Sequence, residues 1–133
     1  MIVKVYEIHS QIEQNASSKI VNPYDIETIY GKTQKGYDQL GNQYASFTYK
    51  NPSIKKSLVS LPLTYMGFGG YLNPFTNEAQ VNYKIPKYNF PTTVCHEMAH
   101  QIGYASESEA NFVGYLASIN NDDIYFQYSG YAY

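Results

Sequence analysis

The fold class predicted for this chain of 133 residues is α+β, mostly helical with a small antiparallel sheet. Two observations carry it. Apolar residues keep the 3.6-residue helical period from Asn22 to Tyr44 and again across Pro91 to Ile119, while only Glu78–Ile85 alternates strictly between apolar and polar.

The first segment, Ile2 to Ala16, has apolar residues at 2, 5, 8 and 12, nearer a helix than a strand, and Ser17 and Ser18 break it. Asn22 then reads as an N-cap with Pro23 at the first helical position. Ile26, Ile29, Tyr30, Thr33, Tyr37, Leu40 and Tyr44 continue the stripe. Gly31, Gly36 and Gly41 each cost a helix interior about 0.8–1 kcal/mol relative to Ala, so packing must hold this helix, bent or broken where they fall. Ser57 to Leu63 is a short β-prone run, and Gly67 to Tyr71 a flexible loop permitting close backbone approach. Asn73 to Asn77 is a turn before the strand Glu78–Ile85, which Pro86 stops.

A helix follows from about Pro91, with Cys95, Met98, Ala99 and Ile102 towards the core and Gly103 suited to end it. Ser106 caps a second helix running to about Ile119, and Ser106-x-x-Glu109 fits a capping box. Its buried stripe is Phe112, Val113, Leu116 and Ile119, and Ala110, Asn111 and Gly114 offer a small-residue face for close helix approach. Ile124 to Tyr131 is an aromatic segment with no defined period.

Charged residues make up 15% of the chain, the net charge is −2 and arginine is absent, which argues against nucleic acid. No apolar run has the length of a transmembrane helix, and Met1-Ile2-Val3-Lys4 does not open a signal peptide. The single Cys95 excludes an internal disulfide, and directly preceding His96 it points to the core as neither ligand nor nucleophile. The 16 tyrosines read as amphipathic filler in core and surface, with a cleft lined for extended polypeptide or glycan as the alternative.

The chemistry concentrates in His96-Glu97-Met98-Ala99-His100. On a helix this pattern sets two imidazoles one turn apart on one face, able to bind one zinc, with the intervening Glu97 beside the metal as general base. A catalytic zinc takes three protein ligands and keeps one open position. Glu107 and Glu109 are the nearby donors for the third; capping occupies Glu109, so Glu107 is the expected ligand and Glu109 the alternative. Asn111, at i+4 from Glu107, is placed to hold a ligand's free hydrogen-bonding group. His9 lies remote from the motif and receives no role.

His-Glu-x-x-His followed by Glu-x-x-x-Asn on a second helix resembles the gluzincin metallopeptidases, and Glu107-Ser-Glu-Ala-Asn111 resembles the third-ligand helix of the ImmA/IrrE-type peptidases. Closer still, Gly70 to Ala79, His96 to Ala105, Glu107 to Phe112 and Tyr128-Ser-Gly-Tyr131 resemble DUF3810, a family of uncharacterised bacterial membrane proteins; the likeness covers about Lys55 to Tyr131. It implies a single zincin-like domain over 1–133, with a helical part (1–50) and a metal-site core (55–131), excised from a longer protein. It also implies attachment to a bacterial membrane only through segments absent here, with this soluble domain extracytoplasmic.

The function expected is therefore a zinc metallopeptidase acting on peptide or protein substrates, with Zn2+ on His96, His100 and Glu107 and Glu97 as base. A tyrosine hydroxyl, Tyr128 or Tyr131, is the expected oxyanion donor, and the strand Glu78–Ile85 the edge to which a peptide adds. The alternatives are a catalytically silent zinc-binding regulatory or peptide-docking module, and a metal-free interaction domain using the tyrosine-rich surface.

Overall fold

The computed structural model describes residues 2–12, 14, 20–50, 52–58, 65, 69–73 and 75–133. Among them, five α-helices and a three-stranded sheet run in the order α1 (Ile2–His9), α2 (Ile26–Gln43), β1 (Ile54–Lys56), β2 (Gly70–Asn73), β3 (Glu78–Val81), α3 (Phe90–Ile102), α4 (Glu107–Ile119) and α5 (Ile124–Ala132). A 3₁₀ turn, Ala45–Phe47, follows α2. The mostly helical α+β class is what the sequence predicts. Helix α3, carrying both motif histidines, is the axis of the molecule, with α2, α4, α5 and the sheet packed around it.

The sheet is mixed rather than antiparallel. Its order is β1-β3-β2, with β2 antiparallel and β1 parallel to β3. Only β2 and β3 are joined by a tight turn, in which Asn73 Oδ1 accepts from the backbone of Phe75 and Asn77 takes φ 53°. The strand expected over Glu78–Ile85 stops at Val81, because Asn82 Oδ1 turns back to accept from Lys84 N–H. Its alternation still sets which face packs on the core, and Ala79 and Val81 are both fully buried. Gly70 and Tyr71, expected in a loop, open strand β2; Gly67 and Phe68 lie outside the described residues. The β-prone run Ser57–Leu63 is preceded by the actual strand, β1, and its residues 59–63 lie outside the described ones. Ser17 and Ser18 lie outside them as well.

Helix α2 starts three residues later than expected. Asp25 is its N-cap, accepting from Thr28 N–H at 2.8 Å, while Asn22 Oδ1 closes a local turn onto Tyr24 N–H. The helix is unbroken over 18 residues. Gly36 explains part of this: a Cβ there would lie 2.4 Å from the Ala117 carbonyl oxygen, so its absence lets α2 close on α4. Tyr37 is fully buried and its hydroxyl donates to the Cys95 carbonyl, tying α2 to α3.

Helix α4 spans the expected residues, and of its expected stripe Val113 is buried and Leu116 packs against the core. Ala110, Val113, Gly114 and Ala117 go inward, whereas Phe112 is 60% exposed. Phe112 is two residues from both Ala110 and Gly114, about 200° around the helix, so burying the small face turns it to solvent. The aromatic C-terminal segment is a helix, α5, capped by Asp123, whose Oδ1 accepts from Tyr125 N–H. Asp123 Oδ2 accepts from Tyr24 Oη and Lys32 Nζ at 2.7 and 2.8 Å, which fastens α5 to α2 and the segment before it. No helix of the described residues is long and apolar enough to cross a membrane.

Candidate metal centre

Local signals place α3. Pro91 stands in its first turn, where a missing N–H costs nothing, and Gly103 ends it at φ 125°. That left-handed residue swings the chain so that the Tyr104 carbonyl lies 2.7 Å from His100 Nδ1. A carbonyl only accepts, so Nδ1 carries a proton towards it and Nε2 is turned to the His96 ring.

His100 Nε2 and His96 Nε2 face each other at 3.1 Å. Glu107, the first residue of α4, sets Oε2 3.3 Å from His96 Nε2 and its other oxygen, Oε1, 3.3 Å from His100 Nε2. His96, His100 and Glu107 thus converge, as the sequence predicts, and they form the group of metal-capable side chains found among the described residues. Tetrahedral donors held about 2.0–2.1 Å from a metal lie about 3.3 Å apart, close to the 3.1 Å between the two imidazole nitrogens, and one donor atom from each of the three residues lies within 4.8 Å of the others. Burial, then the neighbouring His100, lowers the pKa of His96 and keeps it neutral, the state a metal requires; Glu107 and Asn111 oppose this less strongly. The Glu107 side chain is 79% exposed, so the site opens to solvent on that side.

Close approach of α4 to α3 depends on Gly114. A Cβ there would lie 2.8 Å from His96 N and 2.9 Å from its Cα. The small-residue face anticipated on α4 therefore meets the histidine backbone directly, and this contact brings Glu107 within reach.

Glu109 is exposed and outside the cluster. The capping box that set it apart is not formed: Ser106 is the N-cap residue, but its hydroxyl pairs with Ser108 Oγ rather than with the helix backbone. Asn111 lines the same cavity and accepts a hydrogen bond from Tyr133 Oη at 2.8 Å.

Glu97 is 3% exposed, and burial, followed by the nearby Glu107 charge, pushes its carboxyl up to about 8. It packs against Gly70 of β2, and Cys95 beside the motif is fully buried with its thiol pushed up to about 12 by burial.

A cavity of about 1190 Å³ joins these groups, bounded by residues 69–72 of β2 and its approach, the turn at Ile85, Pro86 and Asn89, and the histidine face of α3. Six buried side-chain polar atoms lack a hydrogen-bond partner among the described residues, and three of them, Asn89 Oδ1, His96 Nδ1 and Glu97 Oε2, belong to residues lining this cavity. Orphaned polar groups are costly to bury, and three of the six stand on the residues around this cavity.

Tyr128 and Tyr131 are not among the cavity-lining residues. Three residues apart on α5, they share a face that packs elsewhere: Tyr128 meets the His9 ring and Tyr131 the Tyr115 ring. Tyr133, just past the helix, lines the cavity instead. Burial and then the charges of Glu107 and Glu97 raise its hydroxyl pKa. Sequence carries no signal for Tyr133 or Asn89, whereas Gly70 stands in the glycine-rich stretch suited to close backbone approach.

No curated protein and no solved structure matches this chain. A family model does, over residues 1–133, taking in the first third as well as the motif region. The chain therefore belongs to DUF3810, a family described as proteins of unknown function.

Proposed function

We propose that this chain is a zinc-dependent peptide hydrolase of the gluzincin type. The observation that carries the proposal is the convergence of His96 Nε2, His100 Nε2 and the Glu107 carboxylate at 3.1–3.3 Å beside a buried, unpartnered Glu97 oxygen. His96, His100 and Glu107 would hold the ion. When bound, zinc supplies Lewis acidity, lowering the pKa of a coordinated water and polarising a carbonyl.

The chain's own groups supply the rest. Glu97, on the cavity wall beside the histidines, accepts the proton of the attacking water and passes it to the leaving amine, a role that asks for a carboxylate within reach of both. Tyr133 Oη, once its proton turns from Asn111 Oδ1 to the substrate, is the donor suited to negative charge developing on the substrate carbonyl oxygen, in place of the Tyr128 or Tyr131 that the sequence suggests.

Peptide addition moves from β3 to β2. Strand β3 lies between the other two and has no free edge. On β2, Gly69 and Asn73 carbonyls accept from Asn82 and Asn77 N–H, so the alternation of an antiparallel pair turns the N–H and C=O of Gly70 and Leu72 away from β3. Those groups suit pairing with an extended peptide alongside the cavity.

A silent docking module would keep the metal ligands but has no use for a buried carboxylate held without a partner, which favours the enzyme. Incubation of zinc-loaded protein with a mixed peptide library, read by mass spectrometry, tests this. Cleavage lost in Glu97→Gln with zinc retained is expected; intact peptides despite full zinc occupancy would favour the module.

A further inference from the structure

Two glycines fix how strand β2 lies against α3. A Cβ on Gly69, just before the strand, would lie 2.9 Å from Thr93 Cγ2, and one on Gly70 would lie 2.5 Å from Glu97 Oε1. Successive residues of the strand thus meet successive turns of the helix, and β2 runs alongside α3 as the second wall of the cavity. On the helix the lining is one continuous stripe: Asn89, Thr93, His96, Glu97, His100 and Gly103. At 1.5 Å per residue the stripe spans about 21 Å, room for about six residues of extended chain at 3.3 Å each. The histidine pair stands inside this span. About 10 Å of lined helix precedes His96, and the cavity continues past His100 to Gly103 and Ala105. The trough therefore flanks the metal-capable group on both sides.

Neither flank is equipped to hold a chain terminus. Capture of a terminal carboxylate calls for a basic side chain or a set of free backbone N–H groups. The chain has no arginine, no lysine lines the cavity among the described residues, and the sequence from Ser57 to Asn77 carries no charge of either sign. The N-terminus of α3, bordering one flank, is largely spent: Pro91 has no N–H, Thr92 N–H donates to Ser129 Oγ and Thr93 N–H to the Asn89 carbonyl, each at 3.1 Å. At the other flank α4 opens with Glu107 and Glu109, which repel a carboxylate. A terminal amine asks for a carboxylate of its own, and besides Glu97 and Glu107, needed for proton transfer and for the ion, none lines the cavity.

We propose that the trough takes an uncharged internal segment of a polypeptide, about six residues in extended form, held by backbone pairing on β2, so that hydrolysis is endoproteolytic and needs neither chain terminus. Water adds across an interior amide: its hydroxyl goes to the carbonyl carbon, the C–N bond breaks, and the amine leaves with the proton. Cleavage rests on the peptide-hydrolase reading, whereas the mode of binding rests on the trough alone.

The test is calorimetry on Glu97→Gln protein with zinc present, using acetylated and amidated peptides of alanine, serine and leucine, two, four, six and eight residues long. Affinity is expected to rise about tenfold or more from two to six residues and to stay within about threefold from six to eight. Freeing either terminus of the six-residue peptide should change its affinity by less than about threefold. Ala105 is exposed and lines one flank, so Ala105→Trp should keep the melting temperature and reduce the six-residue affinity to that of the four-residue peptide. Wild type with zinc should cut the blocked eight-residue peptide at an interior bond. Affinity that is flat beyond two residues, strong preference for a free terminus, no binding, or stepwise loss of end residues would overturn the proposal. Failure of the hydrolase reading looks different: nothing is cleaved, while the length dependence and the indifference to termini persist.

Discussion

Gly70 and Glu97 are in contact across the sheet–helix interface, so close that a Cβ on Gly70 would lie 2.5 Å from Glu97 Oε1. Strand β2 thereby forms a wall for the carboxylate while remaining the edge of the sheet. The same Cβ would lie 2.8 Å from the Gln80 carbonyl oxygen, so the position has no spare volume on either side. Gly70→Ala must push Glu97 aside or spread the strands. We expect a loss of about 1–3 kcal/mol in stability from overpacking, with zinc binding kept and any peptidase activity down at least tenfold. A thermal melt, metal content and a rate would check it; full activity would show that the Glu97 position is unimportant.

Glu97 makes metal-free protein sensitive to pH. Its folded pKa, about 8, lies above the ordinary 4.5 because of burial and then the Glu107 charge. The folded state therefore binds the proton more tightly than the unfolded one. The resulting stability is fully present below pH 4.5 and is lost as pH rises towards 8, at about 1.4 kcal/mol per pKa unit. Chelated wild type should lose a few kcal/mol across that window, and Glu97→Gln should flatten the dependence. In zinc-loaded protein Glu97→Gln should keep the metal and lower activity by about 10² to 10⁴.

Two helical glycines should respond in opposite ways. Gly31 on α2 has nothing within 4 Å of the place a methyl would occupy, and Gly31→Ala should stabilise by about 0.5–1 kcal/mol. Gly114→Ala would drive a Cβ into the His96 backbone, costing about 1–3 kcal/mol and weakening metal affinity as Glu107 is carried away. Denaturant midpoints and a zinc titration on both variants separate the two outcomes.

Asp123 should govern the acid limb. Burial works to raise its pKa, but hydrogen bonds from Lys32, Tyr24 and the Tyr125 N–H outweigh this and hold it below the ordinary 3.8. Its contribution is present above that value and is lost as pH falls through the depressed one. Asp123→Ala removes the α5 cap and unpairs Lys32, for a loss of about 1–3 kcal/mol. The variant should also show a shallower fall of melting temperature below about pH 4 than wild type.

The helical pattern and the cluster itself are legible in the sequence because both rest on local periodicity. His96 and His100 share a face by helix geometry, and Glu107 follows a turn that Gly103 and Ser106 announce. The sheet is less legible: β1 pairs in parallel with β3 across a long connection, a pairing no local alternation encodes. Strand β3 reads too long in the sequence because Asn82 and Lys84 keep the alternation while the Asn82 side chain turns the chain. The capping box that favours Glu107 over Glu109 does not form; what separates the two is that Glu107 faces α3 across the Gly114 contact. Tyr133 reaches the cavity through tertiary packing of α5, beyond any spacing rule, whereas Asn89 lies two turns before His96 on the same face of α3.

The most direct measurement is zinc content per chain, by elemental analysis, of wild type and of four single variants. We expect about one equivalent in wild type, as befits a three-ligand site. His96→Ala, His100→Ala and Glu107→Ala should each lose it, while Glu109→Ala keeps it. Full occupancy in either histidine variant, or a wild type that takes up no zinc when offered it, would contradict the metal centre on which the proposed hydrolase depends.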